Sequence, residues 1–260
     1  MYFILLLIFS GCNSIQNDYR EIAAEEFTMQ PLQSEEVLSE SDIRQLPAPV
    51  RKYIIYTEAL GKNRPQNVRI AFDAAMTKKR GSAPMDASSE QYNFFARPAR
   101  FFFMKASQYL VSFRVFHAYR DQHASMVVRV ASLFNAVDIG GEEFTKAETV
   151  TLLNDLYVFA PANLIDKRLA WKDIDSLTVC VTITNGPYNV SAFLYFNEKG
   201  ELVNFVSEDR AALQNDGTLR KTKWSTPLRD YKEIDGRKAP HTEKRFIITR
   251  RVISRTGHSG

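Results

Sequence analysis

Apolar and polar residues alternate with a period of two along much of the chain, a pattern typical of half-buried β-strands. One group of such runs covers residues 68–72, 90–98, 100–105, 110–119, 124–131 and 134–139. A second group covers residues 176–184, 189–196 and 201–207, with short turns at residues 185–187 and 197–200. Short strands joined by short turns predict antiparallel sheets.

Two stretches depart from this period and predict helices. In residues 148–165, Val150, Leu153, Leu156 and Tyr157 recur at helical spacing. Residues 46–61 form a shorter, proline-opened helix that Gly61 can end. A sheet must bury its apolar face against another layer. The pattern therefore predicts an α+β fold, a curved, half-barrel-like antiparallel sheet with an N-terminal helix and a central helix packed on it.

The N-terminus has the features of a targeting signal. Residues 2–9 are all apolar, a run much shorter than the ~20 residues that a spanning helix needs. Ser10 and Gly11 then precede Cys12, which resembles the processing site of bacterial lipoproteins. That resemblance implies a signal peptide at residues 1–11, an acylated Cys12 and a membrane anchor on the extracytoplasmic side of the bacterial envelope. An ordinary secretory signal with an incidental cysteine is the alternative.

Charge divides the remaining chain into three parts. Residues 12–41 are polar and acidic, which predicts a solvated linker behind the lipid anchor, with room for some helix around Tyr19–Phe27. Residues 42–240 form the predicted single α+β domain. Residues 241–260 hold five basic residues against one acid, which accounts for the whole net charge of +4. The sequence has no basic groove with interleaved aromatic residues, so a nucleic-acid partner is not expected.

Several strings resemble an uncharacterised bacterial family of unknown function. They are Leu46-Pro-Ala-Pro-Val-Arg-Lys-Tyr53, Glu148-Thr-Val-Thr-Leu-Leu-Asn-Asp155, Phe205-Val-Ser-Glu-Asp-Arg210 and Trp224-Ser-Thr-Pro227. The resemblance spans roughly residues 44–240 and implies no known activity. The layout of sheet and helices also resembles lipoprotein-carrier half-barrels, a likeness of architecture that does not fix function.

The last twenty residues depart from the resembled family. Codons read one nucleotide earlier from Pro240 can spell an ending like the one that this family has. We therefore interpret residues 241–260 as an aberrant tail from a frameshift, with a natural divergent tail as the alternative. Loss of the closing strands leaves a sheet edge unpaired, which is an aggregation risk.

The family-like strings contain the carboxylates Glu148, Asp155 and Asp209, which are the catalytic candidates. Glu148 and Asp155 lie two helical turns apart and share a face, as paired acids in general acid–base catalysis do. The alternative is structural, in which these acids pair with Arg210 or with strand groups. No metal-ligand spacing, phosphate loop or dinucleotide motif is present, so neither a metal nor a cofactor is expected. His117 and His123 flank a turn and are expected to be surface or strand residues.

Aromatic residues exceed what one face of a small sheet needs, which favours a cavity that suits a lipid or acyl chain. The alternative is a plain packed core. The candidate ligand-binding residues are Phe103, Phe116, Tyr119, Asn154, Tyr157, Trp171, Arg210 and Trp224. The leading hypothesis is thus a non-enzymatic envelope lipoprotein that binds a hydrophobic ligand. The alternatives are a carboxylate-dependent hydrolase and a structural or protein-interaction lipoprotein.

Overall fold

The computed structural model describes residues 14–31, 36–76, 85–108, 111–131, 133–214, 217–240 and 246–249. Within these ranges, four α-helices accompany two large open antiparallel sheets, which confirms the predicted α+β class. The helices are α1 (Ile15–Met29), α2 (Glu40–Ile43), α3 (Ala48–Tyr56) and α4 (Glu142–Phe159), followed by a 3₁₀ turn at Pro161–Asn163.

The first sheet is a meander in which each strand pairs with its neighbour in sequence. Its strands are β1 (Asn67–Met76), β2 (Met85–Phe94), β3 (Ala99–Gln108), β4 (Val111–Arg120), β5 (His123–Val130) and β6 (Phe134–Gly140). The late strand β16 (Phe246–Thr249) pairs antiparallel with β1 and makes this sheet seven-stranded.

The second sheet follows α4 in sequence. It contains β7 (Leu169–Asp173), β8 (Thr178–Asn185), β9 (Tyr188–Phe196), β10 (Leu202–Ser207) and β13 (Trp224–Pro227), in the order β13-β10-β9-β8-β7. Two small hairpins complete the described strands: β11 (Ala211–Leu213) with β12 (Leu219–Lys221), and β14 (Lys232–Ile234) with β15 (Arg237–Ala239).

Helix α4 lies in the main core and is apolar on most sides. Its buried Val150, Leu153 and Tyr157 belong to one cluster with residues of both sheets, including Ile70 of β1 and Leu194 of β9. The helix begins at Glu142, six residues before the predicted start at Glu148. Gly141 has a φ of 96°, which glycine adopts at little cost, so the chain turns from β6 directly into the helix. Glu142 and Glu143 then occupy the first turn, where the helix dipole favours acids.

Helix α1 covers the other face of the first sheet. Its buried Ile15, Tyr19 and Ala23 pack against aromatic residues of β2 and β3, among them Phe94 and Phe103. This corrects the prediction of a solvated linker across residues 12–41. The helix has one apolar face, and of its four acids Glu21 and Glu25 are exposed whereas Glu26 is fully buried.

Several predicted features lie outside the described residues. They are the signal peptide, Cys12, and residues 241–245 and 250–260 of the tail. The part of the tail that is described, β16, forms a strand against β1. In the described ranges, no helix is long and apolar enough to cross a membrane.

Candidate functional site

A buried polar network joins α4 to the first sheet. Asp155 of α4 accepts three hydrogen bonds at Oδ2, from Gln91 Nε2 at 2.8 Å, Asn93 Nδ2 at 3.0 Å and Arg100 Nε at 2.8 Å. The side chain of Arg100 is 11% exposed and that of Asp155 is 8% exposed. Such a pair is stable only when its hydrogen bonds are satisfied, and here they are. Asp155 therefore attaches the helix to the sheet.

Glu148 forms the second half of the network, two helical turns earlier. Its Oε1 accepts a hydrogen bond from Arg210 Nη1, and its Oε2 lies 3.0 Å from Nε2 of His117. Arg210 also donates to the backbone carbonyl of Ala147 at 2.9 Å, and its guanidinium lies 5.0 Å from the ring centre of Trp224. Arg210 thus pairs with Glu148 and not with Asp155.

His117 links the two halves, and its contacts determine its tautomer. Nη1 of Arg100 lies 3.1 Å from Nδ1 of His117. Because a guanidinium only donates, Nδ1 must accept, and the ring proton must lie on Nε2, which is close to Oε2 of Glu148 but outside hydrogen-bond geometry. Burial lowers the pKa of His117, and Arg100 and Arg210 lower it further, which outweighs the opposite effect of Glu148. The network is therefore built around a neutral histidine.

Glu148 remains ionised in this setting. Burial alone would raise its pKa, but His117, Arg210 and Arg100 together outweigh burial and hold the pKa well below its ordinary value. A general acid near neutral pH needs a raised pKa. Glu148 has the opposite, which supports the structural interpretation of this carboxylate.

The third carboxylate candidate has a separate role. Oδ2 of Asp209 accepts a hydrogen bond from the backbone N–H of Ser191 at 2.9 Å, so it supports β9 near the end of β10. Among the described residues, Asp209 has no hydrogen-bond or ion-pair partner in common with Glu148 or Asp155. In that part of the chain, no group of His, Cys, Asp and Glu residues is arranged to hold a metal.

The predicted ligand-binding residues are distributed over three places. Phe103 and Phe116 lie under α1, where both rings contact Tyr19. Tyr119, Tyr157 and Trp171 pack around α4, and Asn154 is half-buried on that helix. Arg210 and Trp224 form the cation–π pair at the edge of the network. The structure therefore does not bring the eight residues to one cavity.

An apolar surface that the sequence did not single out lies beside the network, on the same face of the first sheet. One cross-strand row runs over six strands and carries a single hydroxyl: Phe72, Ser89, Met104, Val115, Val128 and Val137. The next row outward contains Ala87, Ala106, Phe113 and Val130. We call these two rows the apolar shelf. Most of their side chains are half-buried.

The shelf lies on the part of this sheet face that α4 does not cover. In the row on its α4 side, Gln91, Phe102, His117 and Met126 are directly opposed across β2–β5. The polar members of that row bind Asp155 and Glu148 of α4. On this face of the sheet, a row with polar side chains that bind α4 is therefore followed directly by the apolar inner row of the shelf.

A cleft of about 240 Å³ lies on the opposite face of the first sheet, beside the start of α1. Its lining is mixed and includes Gln16, Arg69, Asp73, Glu90 and Lys105. Arg69 and Glu90 already pair with each other, at 2.5 Å between Nε and Oε1. This cleft differs from the apolar cavity that was expected beneath the central helix.

Sequence reasoning missed most of the network. The alternation pattern assigns Arg100, Gln91 and Asn93 to strands without any further role. His117 is a strand residue of β4, as one of the two expectations has it, but it is 5% exposed and therefore not on the surface. A signal was present in β2, because Gln91 and Asn93 take positions that alternate with Tyr92 and Phe94. Polar residues that alternate with aromatic ones along a strand form a polar face, which either contacts solvent or binds a buried polar partner. Only the position of α4 shows that the second case applies here.

Comparison with known proteins identifies the family. The family of unknown function DUF6544 matches residues 36–245, and the chain belongs to it. The matched region contains α2–α4, β1–β15 and therefore the polar network and the apolar shelf. No curated protein matches this chain.

Proposed function

We propose that this protein is an envelope lipoprotein, anchored by an acylated Cys12, that binds a lipid or another apolar ligand on the apolar shelf without chemically changing it. The observation that carries this proposal is the shelf itself. Its inner row crosses six neighbouring strands with one hydroxyl and no charge. Contiguous apolar surface on a soluble domain marks an interaction site.

The dimensions of the shelf suit an acyl chain. Six strands spaced by about 4.8 Å give a row about 24 Å long. Each methylene group that moves from water onto such a surface contributes about 0.8 kcal/mol. A chain of ordinary lipid length laid across the strands can therefore bind without polar contacts.

The polar network supports a binding role over a catalytic one. Its carboxylates are occupied by Arg100, Arg210, His117 and strand amides. The low pKa of Glu148 removes it as a general acid at neutral pH. The network fixes α4 beside the shelf, so we assign it the task of holding one border of the binding surface in place.

Ligand binding is tested by native mass spectrometry on protein purified from membranes, together with displacement of a fluorescent fatty acid. We expect co-purified lipid with the wild type. The double variant Met104→Gln/Val115→Thr places polar atoms at the centre of the shelf with little change of shape. We expect it to bind the probe about tenfold more weakly or worse, because two apolar contact surfaces are lost.

Met29→Gln/Val37→Thr is the matched control, since the same chemical changes fall on exposed positions outside the shelf. This control should bind the probe like the wild type. Wild-type protein that carries no lipid and does not bind the probe would contradict the ligand proposal. Mass spectrometry of the mature N-terminus tests acylation of Cys12 separately.

A further inference from the structure

Three of the ten large apolar side chains that are exposed among the described residues lie at one end of the first sheet, where β3 passes to β4 and β5 passes to β6. Val111 begins β4 and is 40% exposed, and Phe134 begins β6 and is 59% exposed. Leu133, in the turn before Phe134, is 82% exposed. Single exposed apolar side chains are ordinary, but three that lie close together at one end of a sheet form a patch of the kind that marks an interaction site.

Helix α1 points its N-terminus towards this same end. Its C-terminal Met29 contacts Arg97 and Arg120 at the opposite end of the sheet, beside the turns β2–β3 and β4–β5. Its second residue, Gln16, lies beside Ser88 and Lys105, four or fewer residues from the strand ends. In the sequence Cys12 stands three residues before the helix, a length of chain that spans at most about 10 Å.

A row of cations borders this end on the α1 face. Lys105, Arg114 and Arg129 are directly opposed on β3, β4 and β5. Like charges directly opposite each other across strands are destabilising. Among the described residues, no ion pair involves Lys105, Arg114 or Arg129, although Arg129 donates to Asn135 at 3.1 Å and the acids Glu90 and Asp138 lie on the same face. An external anionic surface would offset the repulsion within such a row.

We propose that these six residues form a docking edge that rests on the anionic bilayer holding Cys12. The edge comprises Val111, Leu133 and Phe134 as apolar contacts and Lys105, Arg114 and Arg129 as contacts to lipid phosphates. The proposal rests on the proposed acylation, because the short chain before α1 then brings this end of the sheet to the membrane surface. Basic residues near an anionic membrane and apolar residues buried in its interface act together.

Docking in this orientation has a consequence for the shelf. The outer row of the shelf, with Ala106, Phe113 and Val130, is the row nearer to the docking edge. The shelf therefore opens towards the bilayer, so that an apolar ligand passes between the membrane and the sheet without crossing water.

The test uses the mature chain from residue 12 onward with Cys12→Ser, so that no acyl group contributes to binding. Co-sedimentation is measured with vesicles of phosphatidylglycerol and phosphatidylcholine, and with phosphatidylcholine alone. We expect binding to the anionic vesicles that weakens as salt is raised. Leu133→Ser/Phe134→Ser should partition about tenfold more weakly or worse, because each side chain loses its burial in the interface.

Ile55→Ser/Ile174→Ser is the matched control, because both side chains are about as exposed as Phe134 but lie outside the edge. It should bind like the unsubstituted chain. Lys105→Gln/Arg114→Gln should reduce the preference for anionic vesicles. The proposal would be overturned if the Leu133→Ser/Phe134→Ser variant and its control bound the vesicles equally. It would also be overturned if the unsubstituted chain formed a dimer and this variant were monomeric, because the exposed residues would then contact a second copy of the chain.

Failure of the docking edge is distinguishable from failure of the proposed function. If Cys12 carries no acyl group but the chain binds anionic vesicles through Leu133 and Phe134, the edge stands and the anchor does not. If Cys12 is acylated and the chain without the acyl group ignores all vesicles, the anchor stands and the edge is wrong.

Discussion

Arg100 is the residue on which the polar network depends. Nε donates to Asp155 at 2.8 Å, and Nη2 donates to the side-chain oxygen Oε1 of Gln91 at 2.8 Å. Nη1 lies 3.1 Å from Nδ1 of His117. One guanidinium thus joins α4 to β2, β3 and β4. A lysine has no fork of donors and could not make these three contacts at once.

We expect Asp155→Asn to lower the free energy of unfolding by about 3–5 kcal/mol, because Arg100 is then buried without a counter-charge. Chemical denaturation measures this change. Asp230→Asn removes a carboxylate from an exposed pair with Arg229 and should cost about 0.5 kcal/mol or less. A loss below about 1 kcal/mol for Asp155→Asn would mean that the buried charge is not essential to the network.

The lowered pKa values of His117 and Glu148 give stability a defined pH dependence. The unfolded chain binds a proton at His117 below about pH 6.5 and at Glu148 below about pH 4.3, while the native chain resists both. Stability rises with pH wherever the unfolded state holds more protons. It should therefore fall as pH drops through 6.5, and fall further below 4.3.

We expect His117→Gln to flatten the dependence of unfolding free energy on pH between 7 and 5, because the group that titrates there is gone. Gln retains a donor towards Glu148, which limits the loss of stability itself. Denaturant unfolding at several pH values gives the slope. His123→Gln removes an exposed histidine and should leave the slope intact; a slope unchanged by His117→Gln would assign the acid loss to other groups.

At the scale of elements, both long helices are attached by apolar packing together with buried charge. Helix α4 uses the polar network, and α1 combines aromatic contacts centred on Tyr19 with the fully buried Glu26, which pairs with Arg97 and Arg120 of the sheet. The Tyr19 ring lies 5.5 Å from that of Phe103 and 5.9 Å from that of Phe116. The hydroxyl of Tyr19 is buried without a hydrogen-bond partner among the described residues. Tyr19 therefore contributes to the attachment of α1 through its ring and not through its hydroxyl.

Tyr19→Ala should therefore release α1 from the sheet, with a cost of about 3–5 kcal/mol for the lost aromatic ring. Hydrogen exchange should show lost protection in α1 and retained protection in α4. Tyr19→Phe keeps the ring and removes an unpaired buried hydroxyl, so we expect stability equal to or greater than that of the wild type. A large loss with Tyr19→Phe would show that the hydroxyl has a partner.

How far the sequence predicts the structure differs between elements. Period-two alternation located β1 to β6 and β8 to β10, because each of these strands has one face on a core, but it did not predict the edge strands β7 and β16. Helical spacing placed Tyr157 and Leu153 on the buried side of the central helix. The start of α4 was missed because the residues from Glu142 to Ala147 are mixed in polarity and lack a clear stripe.

The candidate site was less accessible from the sequence, for a physical reason. Val115 and Met104 have the same pattern as any core strand residue, and only the limited reach of α4 makes them a shelf. Arg100 and Asp155 are 55 residues apart, and nothing local indicates that they meet. Charge alone suggested a linker for residues 15–29, because their apolar face is narrow and their exposed face is acidic.

At the scale of the whole molecule, the edge strand β16 protects β1. Four of its residues pair with Arg69, Ile70, Ala71 and Phe72 of β1. An uncovered β1 would present unpaired backbone groups along an edge strand, which promotes aggregation. The two buried clusters that include residues of α4 consist of residues that precede the tail in the sequence. The tail is therefore expected to matter more for solubility than for folding.

We expect a chain ending at Pro240 to fold with nearly unchanged stability but to aggregate faster than the full chain, as measured by light scattering at equal concentration. The truncation also removes the net charge of +4. Replacing the five basic residues of the tail by Gln in the full chain separates the two effects. If that variant aggregates as fast as the truncated chain, charge and not the uncovered edge is responsible.

The meander topology sets the order in which the molecule can assemble. Strands β1 to β6 pair only with sequence neighbours in this range, so their contacts have low sequence separation and need little loop-closure entropy. Helix α1 precedes these strands in the chain but packs on a surface that β2, β3 and β4 must first create. The segment made first is consequently among the last to reach its final position, and α4 connects the finished meander to the second sheet.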